Sequence, residues 1–183
     1  MITRAAIRRE MLLALMRLWD KSKDPDKRPV GMPWIAEALR QPEVMAALAQ
    51  ARADNLGPWR GTLEKIRAEL DAKAVEVLDL TRKYMKGGSH HAALEKLTIL
   101  RHQQLVHRQI TTTAEAGPEE AEIEEFYRDN ARLVQLLCSL VNATVFDPED
   151  FAGVYRHYAT FFWAGARGEQ TEGHPNYPKR DER

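Results

Sequence analysis

A helical spacing of apolar residues, repeated in every long segment of the chain, limits the fold more than any other feature. The clearest segment runs from Trp59 to Lys86, where apolar side chains recur every three or four residues among interleaved acidic and basic ones. At 1.5 Å per residue this segment predicts a helix of about 42 Å. Neither the alternation of a half-buried strand nor a Gly-rich phosphate loop occurs in the sequence. The sequence therefore predicts an all-α protein.

Proline, glycine and capping residues divide the chain into successive helices. Pro33 and Pro42 each suit the first turn of a short helix, and Gly87 and Gly88 should end the long one. Ser89 can cap the next helix, which would form a tight hairpin with its predecessor. The sequence predicts helices at about residues 3–20, 34–40, 43–53, 59–86, 90–113, 118–142 and 148–166. They indicate an up-and-down bundle of four to five main helices with a small helical N-terminal subdomain.

The length of 183 residues suits one domain with a real core. Residues 1–167 are predicted to form the helical domain, and the polar residues 168–183 a flexible tail. The apolar second half of the helix at 118–142 is predicted to be buried. The last helix carries an aromatic stripe: Phe151, Tyr155, Tyr158 and Phe162 with Trp163. Packing is the favoured interpretation of this stripe, and base stacking is the weaker alternative.

The composition excludes several classes of protein. Acidic and basic residues balance at 27 each, so any nucleic-acid site must be local rather than a uniformly basic coat. The single cysteine, Cys138, excludes a disulfide within the chain and is predicted to be a small buried hydrophobe. The apolar run from Met11 to Met16 is too short for a signal peptide, and no membrane span occurs. A cytoplasmic protein with no membrane partner is predicted.

Polar side chains share one side of the helix predicted at residues 90–113. With Arg101 as zero and about 100° per residue, Arg108 lies at about 340°, Gln104 at about 300° and His107 at about 240°. His102 follows Arg101 directly. The spacing of Arg and His alone is uninformative, because about two such matches are expected by chance. A basic, imidazole-bearing sector within an apolar run nevertheless indicates a surface for a partner, a ligand or a cleft.

These residues suit the metal-independent attack of an RNA 2′-hydroxyl on its neighbouring phosphate. His107 can move a proton near neutral pH, and Arg101 can hold the phosphate and stabilise the transition state. His102, Gln104 and Arg108 are predicted to support catalysis or bind RNA. Arg101 and His107 are about 9 Å apart along the helix axis, so a two-fold related copy would complete the cleft better. The alternative is that Arg101 pairs with an acidic residue of another helix and His107 is a core histidine.

Other chemistries are less well supported by the sequence. No Glu-x-x-His pair and no His-Glu-x-x-His motif is present, and no metal or other cofactor is predicted. His90 and His91 are predicted to face solvent rather than bind a metal. Ser89 lies beside them with no third group in the sequence pattern, which argues against a serine hydrolase.

The segment ILRHQQLVHRQIT, with ALMRLWDK near the start and YRHYATFFW near the end, resembles the HEPN superfamily of small helical domains. Within it the chain is most similar to the abortive-infection AbiU-type branch, over roughly residues 10–166. The resemblance implies a bundle that dimerises through the motif helices and acts as a metal-independent endoribonuclease. Such domains are often the toxin of a toxin–antitoxin or phage-defence system. The resemblance places the motif arginine at Arg101, its polar neighbour at His102 and the motif histidine at His107.

Departures from the family pattern bear on regulation. Gln109 stands where some relatives carry a tyrosine to which a partner nucleotidyltransferase attaches AMP, which argues against that form of silencing. Arg17 and Asp20 match a family position and are predicted to form a helix-stabilising pair. Because Thr3 nearly begins the first helix, an N-terminal element found in relatives could be missing.

Two hypotheses of function follow from the residues and the resemblance. The first is a ribonuclease toxin or defence effector with a composite active site between two identical subunits. Its predicted partners are RNA, a second copy of the chain and a cognate antitoxin, of the nucleotidyltransferase type or another. The alternative is a non-catalytic HEPN-like helical dimer that binds nucleotide, RNA or a protein partner.

Overall fold

The computed structural model describes residues 2–20, 30–56, 62–102 and 117–167. Within these ranges the secondary structure is helical, without strands, and the all-α prediction is confirmed. The helices are α1 Ile2–Arg17, α2 Met32–Leu39, α3 Pro42–Leu56, α4 Leu63–Tyr84, α5 His91–Leu100, α6 Glu120–Asn142 and α7 Pro148–Ala166.

Two compact units make up the chain, Met1–Val145 with α1 to α6 and Phe146–Arg183 with α7. The predicted boundary between residues 167 and 168 falls where the described residues end, and it stays a prediction.

Helix α4 is the centre of the first unit and packs against α2, α3, α5 and α6. Its buried residues recur every three or four positions, as the sequence predicts for a core helix. They are Ile66, Leu70, Ala74, Val77, Thr81 and Tyr84. The helix begins later than predicted because Thr62 is extended and its hydroxyl accepts a hydrogen bond from the Lys65 backbone N–H, at 3.4 Å.

The predicted N-terminal subdomain corresponds to α2 and α3. Each helix buries apolar residues of one face, among them Met32 and Leu39 of α2 and Met45 of α3. The start of α2 rests on the end of α1, since the Met32 N–H bonds the Leu18 carbonyl at 2.6 Å. A Cβ atom at Gly31 would lie 3.0 Å from the same carbonyl oxygen, so this close approach favours glycine.

A tight turn joins α4 to α5 and forms the predicted helical hairpin. Gly87 has a φ of +87°, a conformation that glycine adopts without strain. Gly88 lies against the last turn of α4, where a Cβ atom would collide with the backbone carbonyls of Arg82 and Lys83. The prediction that Ser89 caps α5 is wrong. His90 occupies the N-cap position without a side-chain cap, and the Ser89 hydroxyl bonds the His90 Nδ1 instead, at 2.8 Å.

Helix α6 ends where the sequence predicts and begins two residues later than predicted, at Glu120. The Glu122 carboxylate accepts a hydrogen bond from the Glu119 backbone N–H at 2.7 Å, which satisfies one free donor at the helix start. Only one face of its second half is buried, so the prediction of complete burial was too broad. Val141 is exposed and Cys138 is half-buried.

Helix α7 has the predicted bounds. The Asp147 side chain accepts a hydrogen bond from the Glu149 N–H at 2.9 Å, and Pro148 occupies the first turn. The prediction that its aromatic stripe packs concerns contacts of this unit with the rest of the chain, and it stays a prediction. The side chains of Phe151, Tyr155, Tyr158, Phe162 and Trp163 are 46 to 70% exposed.

Candidate functional site

Arg101 lies at the C-terminal end of α5, where the chain stays helical through His102 in a π-helical turn. The Arg101 backbone N–H bonds the carbonyls of Leu97 and Thr98, so its position is fixed by the helix. The Arg101 side chain is only 17% exposed, whereas His102 is exposed. Turns of π type occur often at functional sites.

The Arg101 guanidinium forms an ion pair with a residue from another part of the fold. Its Nη1 lies 2.5 Å from the Asp20 Oδ1, and Asp20 follows the last turn of α1. This is the contact expected from the alternative in which Arg101 pairs with an acidic residue elsewhere. The predicted pair of Arg17 with Asp20 is wrong, because Asp20 binds Arg101 and Arg17 is exposed.

The position of Asp20 is set by its neighbour, Trp19, which is 5% exposed. The Trp19 indole Nε1 donates a hydrogen bond to the Asn130 Oδ1 at 2.9 Å. The Trp19 ring lies 5.2 Å from the Tyr84 ring and 6.1 Å from the Phe126 ring, centroid to centroid. A side chain held by both packing and a buried hydrogen bond has little freedom. The end of α1 is therefore anchored to α4 and α6, and Asp20 projects from that anchor.

A second set of contacts fixes α5 against α6. The Lys96 ammonium bonds both Glu122 carboxylate oxygens, at 2.9 and 3.1 Å. The hydrogen bond from Lys96, together with the one from the Glu119 backbone, holds the pKa of Glu122 below its usual value. Because Lys96 precedes Arg101 on the same helix, this contact helps to place the arginine.

Three of the predicted site residues, Gln104, His107 and Arg108, lie outside the described residues, as does Gln109. Their proximity to Arg101 and their roles stay predictions. Of the five predicted site residues, the structure describes Arg101 and His102. It shows that Asp20, which was not among them, binds Arg101.

A polar cluster missed by the sequence analysis lies where the α4–α5 hairpin meets α6. The Lys83 ammonium is 2.6 Å from carboxylate oxygens of both Glu125 and Asp129. The Tyr84 hydroxyl donates to Asp129 at 2.7 Å, and burial together with this bond raises the pKa of Tyr84. Burial alone would lower the pKa of Lys83, but its hydrogen bonds to Asp129 and Glu125 outweigh burial and raise it. Glu125 and Asp129 lie one helical turn apart, and this spacing of two carboxylates was the sequence signal that could have indicated the cluster.

His90 is also part of this cluster. The prediction that it faces solvent is wrong, because its side chain is half-buried. Its Nε2 lies 3.0 Å from the Glu125 Oε2, while its Nδ1 bonds the Ser89 hydroxyl. Glu125 thus supplies the third group that the sequence pattern did not reveal. The Glu125 carboxylate also binds Lys83, which lies in the last turn of α4. His91 is half-buried too, with its Nδ1 3.5 Å from the Glu95 carboxylate.

An open groove of about 730 Å³ runs between α3 and α4 in the first unit. Four of its nine lining residues are alanines, and three are charged: Glu64, Arg67 and Asp71. Neither Arg101 nor Asp20 lines it, so the groove is distinct from the candidate site.

The described residues were also searched for metal ligands and membrane spans. In this part of the chain, no group of three or more His, Cys, Asp or Glu side chains is arranged to hold a metal ion. None of the described helices is long and apolar enough to cross a membrane.

Comparison with known proteins identifies the class. HEPN domains are helical, as the described part of this chain is, and a family model of that class matches the chain. The match is to AbiU2 and spans residues 2–162. The chain therefore belongs to the AbiU2 family of HEPN domains, and the predicted membership is confirmed. No curated protein and no solved structure gave a significant match.

Proposed function

We propose that the protein is a metal-independent endoribonuclease that acts as the toxin of a toxin–antitoxin or abortive-infection system. The observation that carries the proposal is Arg101, placed near the end of a bundle helix in a member of the AbiU2 family and oriented by Asp20. The active site is a composite cleft between two copies of the chain, and RNA is the substrate. A cognate antitoxin is a further partner, and the reaction takes place in the cytoplasm.

The ion pair with Asp20 is compatible with phosphate binding by Arg101. A guanidinium carries five N–H donors in a planar fork, and Asp20 engages Nη1. The remaining edge can donate two parallel hydrogen bonds to a phosphate. Asp20 would fix the plane of the guanidinium, so that these donors are aimed before RNA binds.

His107 is assigned the proton transfer. The 2′-oxygen attacks the adjacent phosphorus while its proton passes to the imidazole, and the bond from phosphorus to the 5′-oxygen breaks. The products are a 2′,3′-cyclic phosphate and a 5′-hydroxyl, the latter protonated by a second acid. Arg101 stabilises the charge on the phosphoryl oxygens. In the helix predicted from the sequence, Arg101 and His107 would be about 9 Å apart along the axis, so the histidine of a second copy is the better-placed acid.

The test is cleavage of a fluorescent RNA by purified protein with EDTA present. Arg101→Ala and His107→Ala should each reduce the rate by about 100-fold or more, the usual contribution of such groups. Arg17→Ala is the matched control, because it removes an exposed arginine from the C-terminal end of α1, three residues before Asp20. The variants should also relieve growth arrest in cells, and circular dichroism should show that they remain folded. Full activity in His107→Ala, or loss of wild-type activity in EDTA, would refute the mechanism.

The Asp20–Arg101 contact also favours the second candidate, a non-catalytic dimer that binds nucleotide, RNA or a protein partner. In that case Arg101 serves to join α5 to α1, and a partner binds beside it. Arg101→Ala would then weaken binding while His107→Ala would leave it unchanged, and neither the wild type nor any variant would cleave RNA.

A further inference from the structure

Ser89, His90 and Glu125 form a hydrogen-bonded chain at the start of α5, called the Ser89 triad below. The Ser89 Oγ lies 2.8 Å from the His90 Nδ1, and the His90 Nε2 lies 3.0 Å from the Glu125 Oε2. An ionised carboxylate can only accept a hydrogen bond, so these partners place the ring proton on Nε2. The lone pair is then on Nδ1, which accepts from the Ser89 hydroxyl. This order of donors and acceptors is the one that activates a serine as a nucleophile.

The charges beside His90 favour its protonated form during a reaction. Glu125 binds His90 through Oε2 and Lys83 through Oε1, so each carboxylate oxygen has its own partner. Lys83 also binds Asp129, at 2.6 Å, so two carboxylates surround one ammonium. One net negative charge is left next to the imidazole. That charge stabilises the imidazolium that forms when the ring takes up the proton of a serine.

The base of the triad is held in place by α4 and α6. The His90 backbone N–H donates to the Lys83 carbonyl at 2.9 Å, and the His90 ring lies 5.8 Å from the Tyr84 ring, centroid to centroid. Burial raises the pKa of Tyr84, which therefore stays neutral. Glu122 of α6 also acts on His90 electrostatically, and Lys96 neutralises it. All of these contacts lie inside the first unit.

The start of α5 supplies donors for a developing negative charge. The N–H groups of Ala92 and Ala93 belong to the first turn of this helix, for which a helix offers no carbonyl acceptor. They point toward the end of α5 that follows Ser89, and the helix dipole adds partial positive charge there. The His90 side chain does not cap this turn. An oxyanion on a group bonded to Ser89 would be stabilised by such donors.

We propose that Ser89 is the nucleophile of a second catalytic site, which cleaves carboxylic esters. The Ser89 oxygen bonds to the ester carbonyl carbon while its proton passes to the His90 Nδ1. The bond from that carbon to the alcohol oxygen then breaks, and the imidazolium returns the proton to this oxygen. Water, with His90 as base, hydrolyses the acyl-serine and releases the acid. The proposal is independent of the ribonuclease activity.

Labelling of the full-length protein with a biotinylated fluorophosphonate tests the nucleophile. The Ser89 oxygen would bond to phosphorus and fluoride would leave, which gives a stable adduct. Trypsin releases the peptide Gly87–Lys96, in which Ser89 is the only hydroxyl-bearing residue, so mass spectrometry locates the label. Ser89→Ala should abolish labelling. Ser139→Ala is the matched control and should be labelled like the wild type, because its hydroxyl binds Lys73 rather than a histidine. Folded wild-type protein without label on this peptide would overturn the proposal.

Two variants test the activation of Ser89. His90→Gln should slow labelling by about 100-fold, and Ser89→Ala should reduce hydrolysis of p-nitrophenyl butyrate by a similar factor. Glu125→Gln, which alters a positioning residue, should slow labelling about tenfold or more. It should also move the pH midpoint of the labelling rate downward, because the imidazolium loses its neighbouring anion.

Circular dichroism checks that the variants are folded. An unchanged labelling rate in folded His90→Gln, or an unchanged pH midpoint in folded Glu125→Gln, would refute activation by the triad. Ester hydrolysis that persists in Ser89→Ala would refute the catalytic role of the serine. Because the label is located in the wild type, a folding defect in His90→Gln leaves the proposal testable.

Discussion

Replacement of Asn130 by leucine tests the anchor that positions Asp20. Asn130 is fully buried, and its side chain makes two hydrogen bonds. Its Oδ1 accepts from the Trp19 Nε1 at 2.9 Å, and its Nδ2 donates to the Phe126 carbonyl at 2.7 Å. Leucine keeps the branched shape of asparagine without its polar atoms. Its side chain is larger and adds an overpacking cost, which the double-mutant cycle below separates from the coupling.

The main cost comes from the indole of Trp19. Its N–H would remain buried without an acceptor, which costs about 1–3 kcal/mol. The Phe126 carbonyl lies inside α6 and keeps its helical hydrogen bond, so its loss adds little. We therefore expect Asn130→Leu to lower the free energy of unfolding by about 2–4 kcal/mol. Replacing Trp19 by phenylalanine in the same protein removes the unpaired donor and should recover part of that loss.

Urea denaturation of the four proteins of this double-mutant cycle gives the coupling between Trp19 and Asn130. With typical m-values, a loss of about 2 kcal/mol moves the midpoint by about 1 M urea. The expected coupling is about 1–2 kcal/mol. Gln50→Leu is the control, since its hydrogen bond with Asp54 is exposed and should matter little. A coupling below about 0.5 kcal/mol would show that the hydrogen bond does not anchor α1.

Two further predictions concern the hairpin and its polar cluster. Gly88→Ala should lower the free energy of unfolding by about 1–3 kcal/mol, because its Cβ would meet immobile backbone carbonyls of α4. Gly153→Ala, in the open interior of α7, should instead raise helix stability by about 0.5–1 kcal/mol, and thermal melts compare the two. Glu125→Gln tests pH dependence: the hydrogen bond from Lys83 holds the pKa of Glu125 below 4.5, so its contribution is present above that pH. The stability difference between wild type and Glu125→Gln should therefore be present above the usual pKa of a glutamate and vanish as pH falls through the lowered pKa. Glu124→Gln is the control, because Glu124 is an exposed carboxylate paired with Arg128. A difference that grew in acid would contradict this assignment.

Local signals determined which parts of the fold could be predicted. The bounds of α6 and α7 follow from proline, acidic first turns and a capping aspartate, all of which act within a few residues. The start of α4 was predicted too early because the apolar spacing in the sequence continues before Thr62, whereas Thr62 is the residue that caps the helix. Burial of the aromatic stripe of α7 stays a prediction, because periodicity identifies an apolar face and does not say what covers it.

In the candidate site, too, the local signals in the sequence did not reveal contacts between residues far apart in the chain. Arg101 could be named from the spacing of its helix, but its partner lies 81 residues away in the sequence. The rule that pairs residues one turn apart suggested Arg17 for Asp20. That rule requires both residues to be on one helix, and α1 ends at Arg17. Asp20 lies beyond two turn residues and so points toward α5 instead.

The geometry at Arg101 therefore depends on the core beneath it. Asp20 is adjacent to Trp19, whose indole is fixed by Asn130, so the backbone that carries the carboxylate is held in place. Exposed ion pairs usually contribute little to stability, and this one is partly exposed, with Asp20 at 37%. The ion pair therefore serves to orient Arg101 rather than to stabilise the fold. Asp20→Asn should leave the unfolding free energy nearly unchanged while altering the function of Arg101, whereas Asn130→Leu should change both.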